Sequence, residues 1–479
     1  MSGLDFKQEE NLFIEFNWER PYLSVVSRKA WLWAVGDVNG DGMDDVFVGS
    51  AKRVPAVLVF SGFKRPFQNR TNWQSSQDSI FEEVDACFAD LDQDGDLDLI
   101  LADGGNEYRG TDTPMRQRAF LNDGKGNFSR TNLFSDLYMT ASCVLPTDFN
   151  GDGLVDFFFG ARAIPWSYGV VPRSALLLNK GNGQFEEVTE TLAPDLQEAG
   201  FIKDANWADI DADGDPDLLL AMEWAAPTIF INEKGRFERF EISPMKGWWN
   251  CMVPGDFDGD GDLDILAGNV GQNSRLQPTE SEPVRMYVAD FDGNKQPEQI
   301  ISYYVKGREI PFANYEEMTK QLPPLKKQFL FAKDFSDASL EGLFGSKKLQ
   351  EATRFEATHF ESVYFENTGS GKEFVAHILP ASVQFSALQC ASAVDLDSDG
   401  SLEIILGGNF FDSNIEMGYY DASYGQVLKI NPDQSMQVFS LGSVVLTGQV
   451  KKIEPIQIGN KTGILIARNN ESLRLLGLE

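Results

Sequence analysis

Three observations in the sequence predict an all-β fold made of repeated four-stranded units. An acidic loop, Asp-x-Asp/Asn-x-Asp-Gly-x-x-Asp/Glu, occurs six times, beginning at Asp37, Asp90, Asp148, Asp209, Asp256 and Asp395. Short apolar runs bounded by Gly or Asp flank the copies, as in Val46-Phe47-Val48 and Leu218-Leu219-Leu220, and such runs read as buried strands. The loop starts lie 53, 58, 61 and 47 residues apart from Asp37 to Asp256. Four strands per repeat at that period predict the blades of a β-propeller.

Within each repeat the first strand precedes the loop, as in Ala30 to Val35, Ala86 to Ala89, Cys143 to Leu145, Trp207-Ala208 and Cys251 to Val253. The second follows it, as in Asp45 to Val48 and Leu97 to Leu101. A third and fourth strand then meet at Asn/Gly turns near Asn122, Asn179, Asn232 and Asn367, where both residue types tolerate positive φ. Six loops and a loop-free unit from Gly448 to Leu476 make seven blades. The segment Phe13 to Phe16 is expected to complete the last unit, closing residues 1–479 into one domain without exposed sheet edges. Pro283 to Pro380 either elaborates one blade or forms an eighth. A helical insertion is expected over residues 312–352, from Tyr315 to Leu322 and Ala338 to Ala352, with Ser336 or Ser339 as N-cap.

The loop spacing is that of a calcium site. Positions 1, 3 and 5 of a tight loop point side-chain oxygens inward, and Gly at position 6 permits the turn. Position 7 offers its carbonyl, and position 9 closes the shell with a carboxylate; calcium accepts such flexible all-oxygen coordination, whereas magnesium prefers a rigid octahedron. The first two sets are Asp37, Asn39, Asp41, Met43, Asp45 and Asp90, Asp92, Asp94, Asp96, Asp98. The next two are Asp148, Asn150, Asp152, Leu154, Asp156 and Asp209, Asp211, Asp213, Asp215, Asp217. The last two are Asp256, Asp258, Asp260, Asp262, Asp264 and Asp395, Asp397, Asp399, Ser401, Glu403. About six calcium ions are therefore expected.

An EF-hand starts the same way but needs a bidentate Glu at position 12. Here position 12 is Val48, Leu101, Phe159, Leu220, Ala267 and Leu406, all apolar. Asp and Gly also build metal-free turns, yet a turn needs Gly rather than four converging carboxylates repeated in one register. A seventh, degraded copy begins at Asp290, with Lys295 in place of Gly and Glu298 closing. That copy reads as a metal-free turn.

The formal net charge is -32, and the six loops supply 22 of the carboxylates at ligand positions. An acidic chain without a basic stripe is a poor partner for nucleic acid or anionic membranes. No run of eighteen uncharged apolar residues offers a membrane-spanning helix. Cys143, Cys251 and Cys390 each stand five residues before a loop, so with Cys87 they read as packed small hydrophobes rather than disulfides. The N-terminus lacks the pattern of a signal peptide. The expected location is nonetheless extracellular or an outer-membrane surface, with the export signal removed or upstream, because millimolar calcium lies outside cells.

The loop Gly-Asp-Val-Asn-Gly-Asp-Gly-x-x-Asp, followed by Leu/Phe-x-Asn-x-Gly-x-Gly-x-Phe, resembles the FG-GAP or VCBS repeat that builds the propeller of integrin α-subunits. The triplet Trp248-Trp249-Asn250 and the segment Leu322 to Lys327 look like the bacterial VCBS branch. The resemblance is strong in the loops and weakest from Gln272 to Ser382. It implies a binding or adhesion scaffold with calcium between the first two strands of a blade.

Ligand contacts are expected on the rim opposite the loops, where strand-two to strand-three connections emerge. Candidates there are Asn106, Arg109, Arg162, Trp166, Trp224, Trp248, Trp249, Asn250, Asn273, Arg275 and Asn409; Lys52 and Arg53 stand in another such connection, and Trp31 and Trp33, at the start of an innermost strand, are expected to approach the same rim. Aromatic faces beside amides and charges suit a glycan or a protein loop; the competing reading has the tryptophans wedging blades apart. Catalysis has little support: His359 and His377 sit in no triad or metal motif, and there is no Gly-x-Ser-x-Gly elbow. A calcium-binding module for a glycan or protein ligand at the cell surface is the leading expectation. A carbohydrate-active lyase or hydrolase, and a purely structural propeller, are the alternatives.

Overall fold

The computed structural model describes residues 33–49, 56–62, 67–70, 80–369, 371–414, 416–442, 444–459 and 461–477. The expected strand at Phe13 to Phe16, and Trp31, Lys52 and Arg53, lie outside these residues. Among the described residues the strands form eight sheets, and the pairings within them are antiparallel. The chain is all-β apart from a few short helices.

Seven sheets follow one another along the chain. Their first strands are Trp33–Gly36, Glu83–Ala89, Thr140–Thr147, Phe201–Ala208, Cys251–Gly255, Leu388–Val394 and Val450–Ile458. Each pairs with the strand beyond its loop: Asp45–Val48, Asp98–Asp103, Asp156–Ala163, Asp217–Ala225, Asp264–Gly268, Glu403–Gly408 and Lys461–Arg468. Neighbouring first strands touch in chain order, and the last sheet packs back on the first. Trp33, Val46 and Val59 share one core cluster with Ile456, Leu465 and Leu473. Gln457 N–H also donates to Asp44 at 2.7 Å. A cavity of about 540 Å³ is lined by the first strands of the second to seventh sheets, including Asp85, Cys143, Asp204, Cys251, Cys390 and Lys452.

The apolar second strands are buried on both faces, which is why they show no polar alternation. Strand residues alternate in direction, so Phe157 and Phe159 join the cluster with the second sheet. Phe158, between them, joins the cluster with the fourth. Each such phenylalanine contributes about 2–3 kcal/mol by leaving water. The cysteines fit the same layering. All four are free thiols, and Cys143, Cys251 and Cys390 pair across the strands with Gly160, Gly268 and Gly407. A Cβ at any of these glycines would lie 2.6–2.7 Å from the facing Sγ, so the sulfur fills the space that glycine leaves.

The segment expected to form an eighth blade or elaborate another is an insertion. The fifth sheet takes its outer strands from Val363–Asn367 and Phe374–Ile378. Between its second and third strands the chain builds a separate sheet, ordered Arg308–Pro311, Glu298–Val305, Val284–Ala289, Thr353–Ala357. Five short helices run from Tyr315 to Glu351 in this insertion, within the expected helical range. Asn314 caps the first, accepting from Glu316 and Glu317, and Ser339 caps another through Gly342. Ser336 is instead inside Ala332–Asp337 and bonds back to the Lys333 carbonyl.

One device recurs where a loop meets its sheet. The position-nine carboxylate is buried (Asp45, Asp98, Asp156, Asp217, Asp264, Glu403). In four repeats both oxygens accept backbone N–H groups, one of them that of loop position 2, as Asp217 accepts Ile210 at 2.9 Å and Asp98 accepts Leu91 at 2.8 Å. The other accepts the N–H of an asparagine ending the third strand: Asn122, Asn179, Asn232 or Asn367, at 2.7–2.9 Å. Three of these asparagines reach the preceding sheet's loop. Asn122 donates to Val38 O at 2.8 Å, Asn232 to Phe149 O at 2.8 Å and Asn367 to Ile210 O at 3.2 Å. Replacing Asn232 by Ala strands the carbonyls of Phe149 and Pro216. The expected loss is about 2 kcal/mol, read as a lower melting temperature; an unchanged one would show that the staple is dispensable.

Candidate functional site: acidic loops and an aromatic pocket at opposite ends

The loops share one backbone design. The position-one carboxylate accepts N–H groups from its own loop, as Asp37 does from Gly40 (2.8 Å), Asp41 (3.1 Å) and Gly42 (2.7 Å). Position 5 accepts from position 7, as Asp94 does from Asp96 at 3.1 Å. Positions 4 and 6 both have positive φ: Gly40 and Gly42, Gln93 and Gly95, Ala212 and Gly214, Ser398 and Gly400. Position 2 is apolar and buried, as at Val38, Leu91, Phe149, Ile210 and Phe257, a regularity visible in the sequence.

Among the described residues three carboxylates converge, with ligand atoms within 4.8 Å of one another, at Asp90/Asp92/Asp94, Asp209/Asp211/Asp217, Asp256/Asp258/Asp260 and Asp395/Asp397/Asp399. The degraded copy behaves alike, gathering Asp290, Asp292 and Glu298 with Lys295 taking the left-handed turn at φ 68. In the two loops with Asn at position 3, the amide donates to a neighbouring carboxylate, Asn39 to Asp45 and Asn150 to Asp152, each at 2.9 Å. The sixth loop meets a cation of the protein's own. Lys429 donates to Asp399 at 3.0 Å and Glu403 at 2.6 Å, from the register position that Leu121 and Ile231 take in other sheets.

The donor set fits a hard cation. It is all oxygen, and Asp211 Oδ1 is buried without a hydrogen-bond partner. Burial, with loop carboxylates adding repulsion, pushes Asp45, Asp98 and Asp156 up to about 7. Burial likewise takes Asp264 to about 7 and Asp217 to about 6.

The antiparallel order puts strand-two to strand-three connections at the other end of each sheet. There Arg162, Trp224, Trp248 and Asn250, distant in sequence, come together around one pocket. Its lining includes Tyr168, Lys203, Trp224, Trp248, Phe410 and Tyr420. Glu223 forms the polar floor. Its Oε1 accepts Arg162 Nη2 at 2.7 Å and lies 3.4 Å from Lys203 Nζ. Its Oε2 accepts the Tyr168 hydroxyl at 2.8 Å, and that hydroxyl accepts Trp224 Nε1–H at 2.9 Å. Burial alone would raise the Glu223 carboxyl, but Arg162 and Lys203 outweigh it and hold it at about 2. Trp224 has φ 62, a strained conformation for a bulky residue.

The other candidates lie elsewhere. Asn106 accepts the Trp166 N–H groups, and the Arg109 guanidinium sits 4.6 Å from the Trp166 ring centre, forming a separate cluster. Arg275 binds Glu416 at 3.1 Å and Tyr303 at 2.7 Å in a groove beside the insertion. Asn273 donates to the Phe385 carbonyl. Two expectations need correction. Trp249 is fully buried and donates to the Ala225 carbonyl at 3.1 Å, so it wedges the fourth and fifth sheets. Asn409 is buried and ties Ser386, Ser423 and Gly448 together. Trp33 is likewise a core residue. Sequence reasoning missed Tyr168, Lys203, Phe410 and Tyr420, since only the sheet packing gathers them.

Residues 37–101, 90–159, 148–220 and 209–267 match the family of FG-GAP-like repeats. No curated protein sequence matches the chain. Among solved structures it is similar to an Agrocybe aegerita lectin described as recognising non-reducing terminal N-acetylglucosamine. Identity is 13%, over 87% of this chain and 86% of that one, with a TM-score of 0.40. It is also similar to the V. cholerae biofilm matrix protein Bap1, at 10% identity over 99% and 90%, TM-score 0.36. An ancestral GH74 enzyme is 8% identical over 95% of this chain and 48% of its own, TM-score 0.47. None of these likenesses says what this chain binds.

The raised position-nine carboxyls give a pH test. A group whose folded pKa lies above its unfolded value near 4 favours the fold where it is protonated. In chelator, melting temperature is therefore expected to rise as pH falls from 8 towards 5, and excess calcium should abolish that rise. A flat profile in chelator would contradict the buried-carboxylate account.

Proposed function

Residues 37–267 of the chain belong to the FG-GAP-like repeat family, and on that premise we propose that the protein is a calcium-stabilised, seven-bladed β-propeller that binds a glycan or protein ligand at the end opposite its acidic loops. The seven consecutive sheets, packed in order and returning to the first, support the blade count. Calcium is supported by the convergent all-oxygen clusters; Asp37, Asp90, Asp148, Asp209, Asp256 and Asp395 open the loops that would hold it. The ion would neutralise carboxylates that the fold forces together. Loops this exposed suit millimolar calcium, so an extracellular or cell-surface setting follows from the same reading.

The observation that carries the binding reading is the pocket itself. Trp224, Trp248, Lys203, Glu223 and Asn250, drawn from three parts of the chain, converge at one end of the molecule. Among the described residues one carboxylate, Glu223, lines it, and it is committed to Arg162, Lys203 and Tyr168. Glycoside hydrolysis generally requires two carboxyl groups flanking the scissile bond, so binding without turnover is favoured.

Calcium titration of chelated protein should release heat and raise the melting temperature; neither change would remove the metal assignment. Asp94→Ala should lower the melting temperature in calcium and leave the chelated protein nearly unaltered. Lys429→Met frees the sixth loop of its internal ammonium and should strengthen the calcium response, whereas an unchanged titration would show that Lys429 does not compete. A glycan array run beside a reducing-end assay separates binding from catalysis: product formation would favour the carbohydrate-active enzyme.

A further inference from the structure

The pocket also selects for ligand chemistry. Its cavity is about 40 Å³, against about 10–15 Å³ for a single water. It therefore admits an end group of a few heavy atoms, with the rest of the ligand over the rim. The walls are Tyr168, Trp224, Trp248, Phe410, Met417 and Tyr420.

Aromatic walls often receive a cation. Here a ligand cation would meet one already present: Lys203 lines the pocket and shares Glu223 with Arg162, and its Nζ lies 6.0 Å from the Phe410 ring centre. The acceptors at the floor are engaged. Glu223 binds Arg162 and Tyr168, and Asn250 Oδ1 accepts Lys203 Nζ at 2.5 Å. The Asn250 amide nitrogen goes to the Leu388 carbonyl at 2.9 Å. In contrast, Trp248 is 7% exposed and its Nε1–H is buried with no acceptor. A buried donor without a partner costs about 1–3 kcal/mol, which a ligand oxygen would recover. The pocket thus presents an unmet donor at Trp248, and the Lys203 ammonium in its lining favours an acceptor bearing negative charge.

From this geometry we propose that the pocket takes a carboxylate carried on a compact body, as in the uronic-acid residue of an acidic saccharide or a short organic acid. This rests on the binding reading above and sharpens its ligand class. The ionisable groups that act on Lys203 are Arg162 from the third sheet, Glu223 from the fourth and Lys451 from the seventh, and the Tyr168 phenol bonds Glu223 beside it. Burial, opposed by Glu223 and reinforced by Arg162 and Lys451, brings the Lys203 ammonium down to about 8. A bound carboxylate would raise it again, so binding near pH 8 should take up protons.

The test uses the calcium-loaded full chain, titrated with glucuronate, methyl glucoside, propionate and choline by calorimetry and tryptophan fluorescence. Glucuronate is expected to saturate, with proton uptake measured across buffers of different ionisation enthalpy; methyl glucoside and choline are expected not to bind. Propionate binding as tightly as glucuronate assigns the site to free acids, and weaker binding assigns it to sugar acids. Trp248→Phe keeps an aromatic ring, removes the N–H and should weaken glucuronate at least tenfold, with a cooperative thermal transition recorded alongside to show that the fold persists. Lys203→Met should abolish the proton uptake. The carboxylate assignment is overturned if methyl glucoside or choline binds as well as glucuronate, if neither carboxylate binds, or if Trp248→Phe binds normally. A neutral glycan or protein ligand that survives Trp248→Phe would sink this assignment while leaving the binding-module reading intact.

Discussion

The structure depends on a carboxylate buried between a loop and its sheet. Asp98, Asp156, Asp217 and Asp264 each hold two backbone N–H groups, one from loop position 2 and one from the end of the third strand. Those donors would otherwise be stranded among apolar side chains. The asparagine that supplies the second N–H also turns its amide to the preceding loop at Asn122, Asn232 and Asn367. One residue type thus closes a sheet internally and fastens it to its neighbour. The cost is a set of carboxyls lifted by burial and mutual repulsion, which is the electrostatic reason a divalent ion suits these loops.

That constraint separates the two ends of the molecule. At the loop end the chemistry is repetitive and accounts for much of the net charge of -32. At the other end the connections are free to differ, because the loop carboxylates and strand asparagines already set the sheet geometry. The fourth sheet holds Trp224 in a left-handed conformation at an irregularity in its second strand, and the fifth accommodates a whole inserted sheet with five helices. Variation at that end carries little penalty to the packing, so ligand chemistry can accumulate there. The sixth loop is an internal exception, since Lys429 lies where the second, third and fourth sheets place Leu121, Leu178 and Ile231 and bonds Asp399 and Glu403 directly.

Particular residues show where sequence reasoning reaches and where it stops. The loop register was legible because positions 1, 3, 5 and 9 recur at fixed spacing and the flanking runs are apolar. The cysteine register was legible for the same reason, and its glycine partners explain it: Cys143, Cys251 and Cys390 face Gly160, Gly268 and Gly407. The insertion was not, because nothing in Val284–Ala289 or Thr353–Ala357 marks them as partners. Trp248 and Trp249 are adjacent and chemically alike, yet Trp248 ends a short strand and packs on Trp224 and Phe360, whereas Trp249 follows it and turns to the Ala225 carbonyl. Trp248 therefore lines the pocket and Trp249 fills the core.

The sequence by itself determined the repeat, the strands on both sides of each loop, and the loop's oxygen-donor chemistry, all of which follow from short-range spacing and turn preference. The tertiary structure decided which distant residues meet. Lys203, Glu223, Arg162 and Trp248 form one site only because the third and fourth sheets pack side by side and Gly247–Trp248 pairs with the fourth sheet's second strand, and that proximity depends on packing geometry that no local pattern encodes.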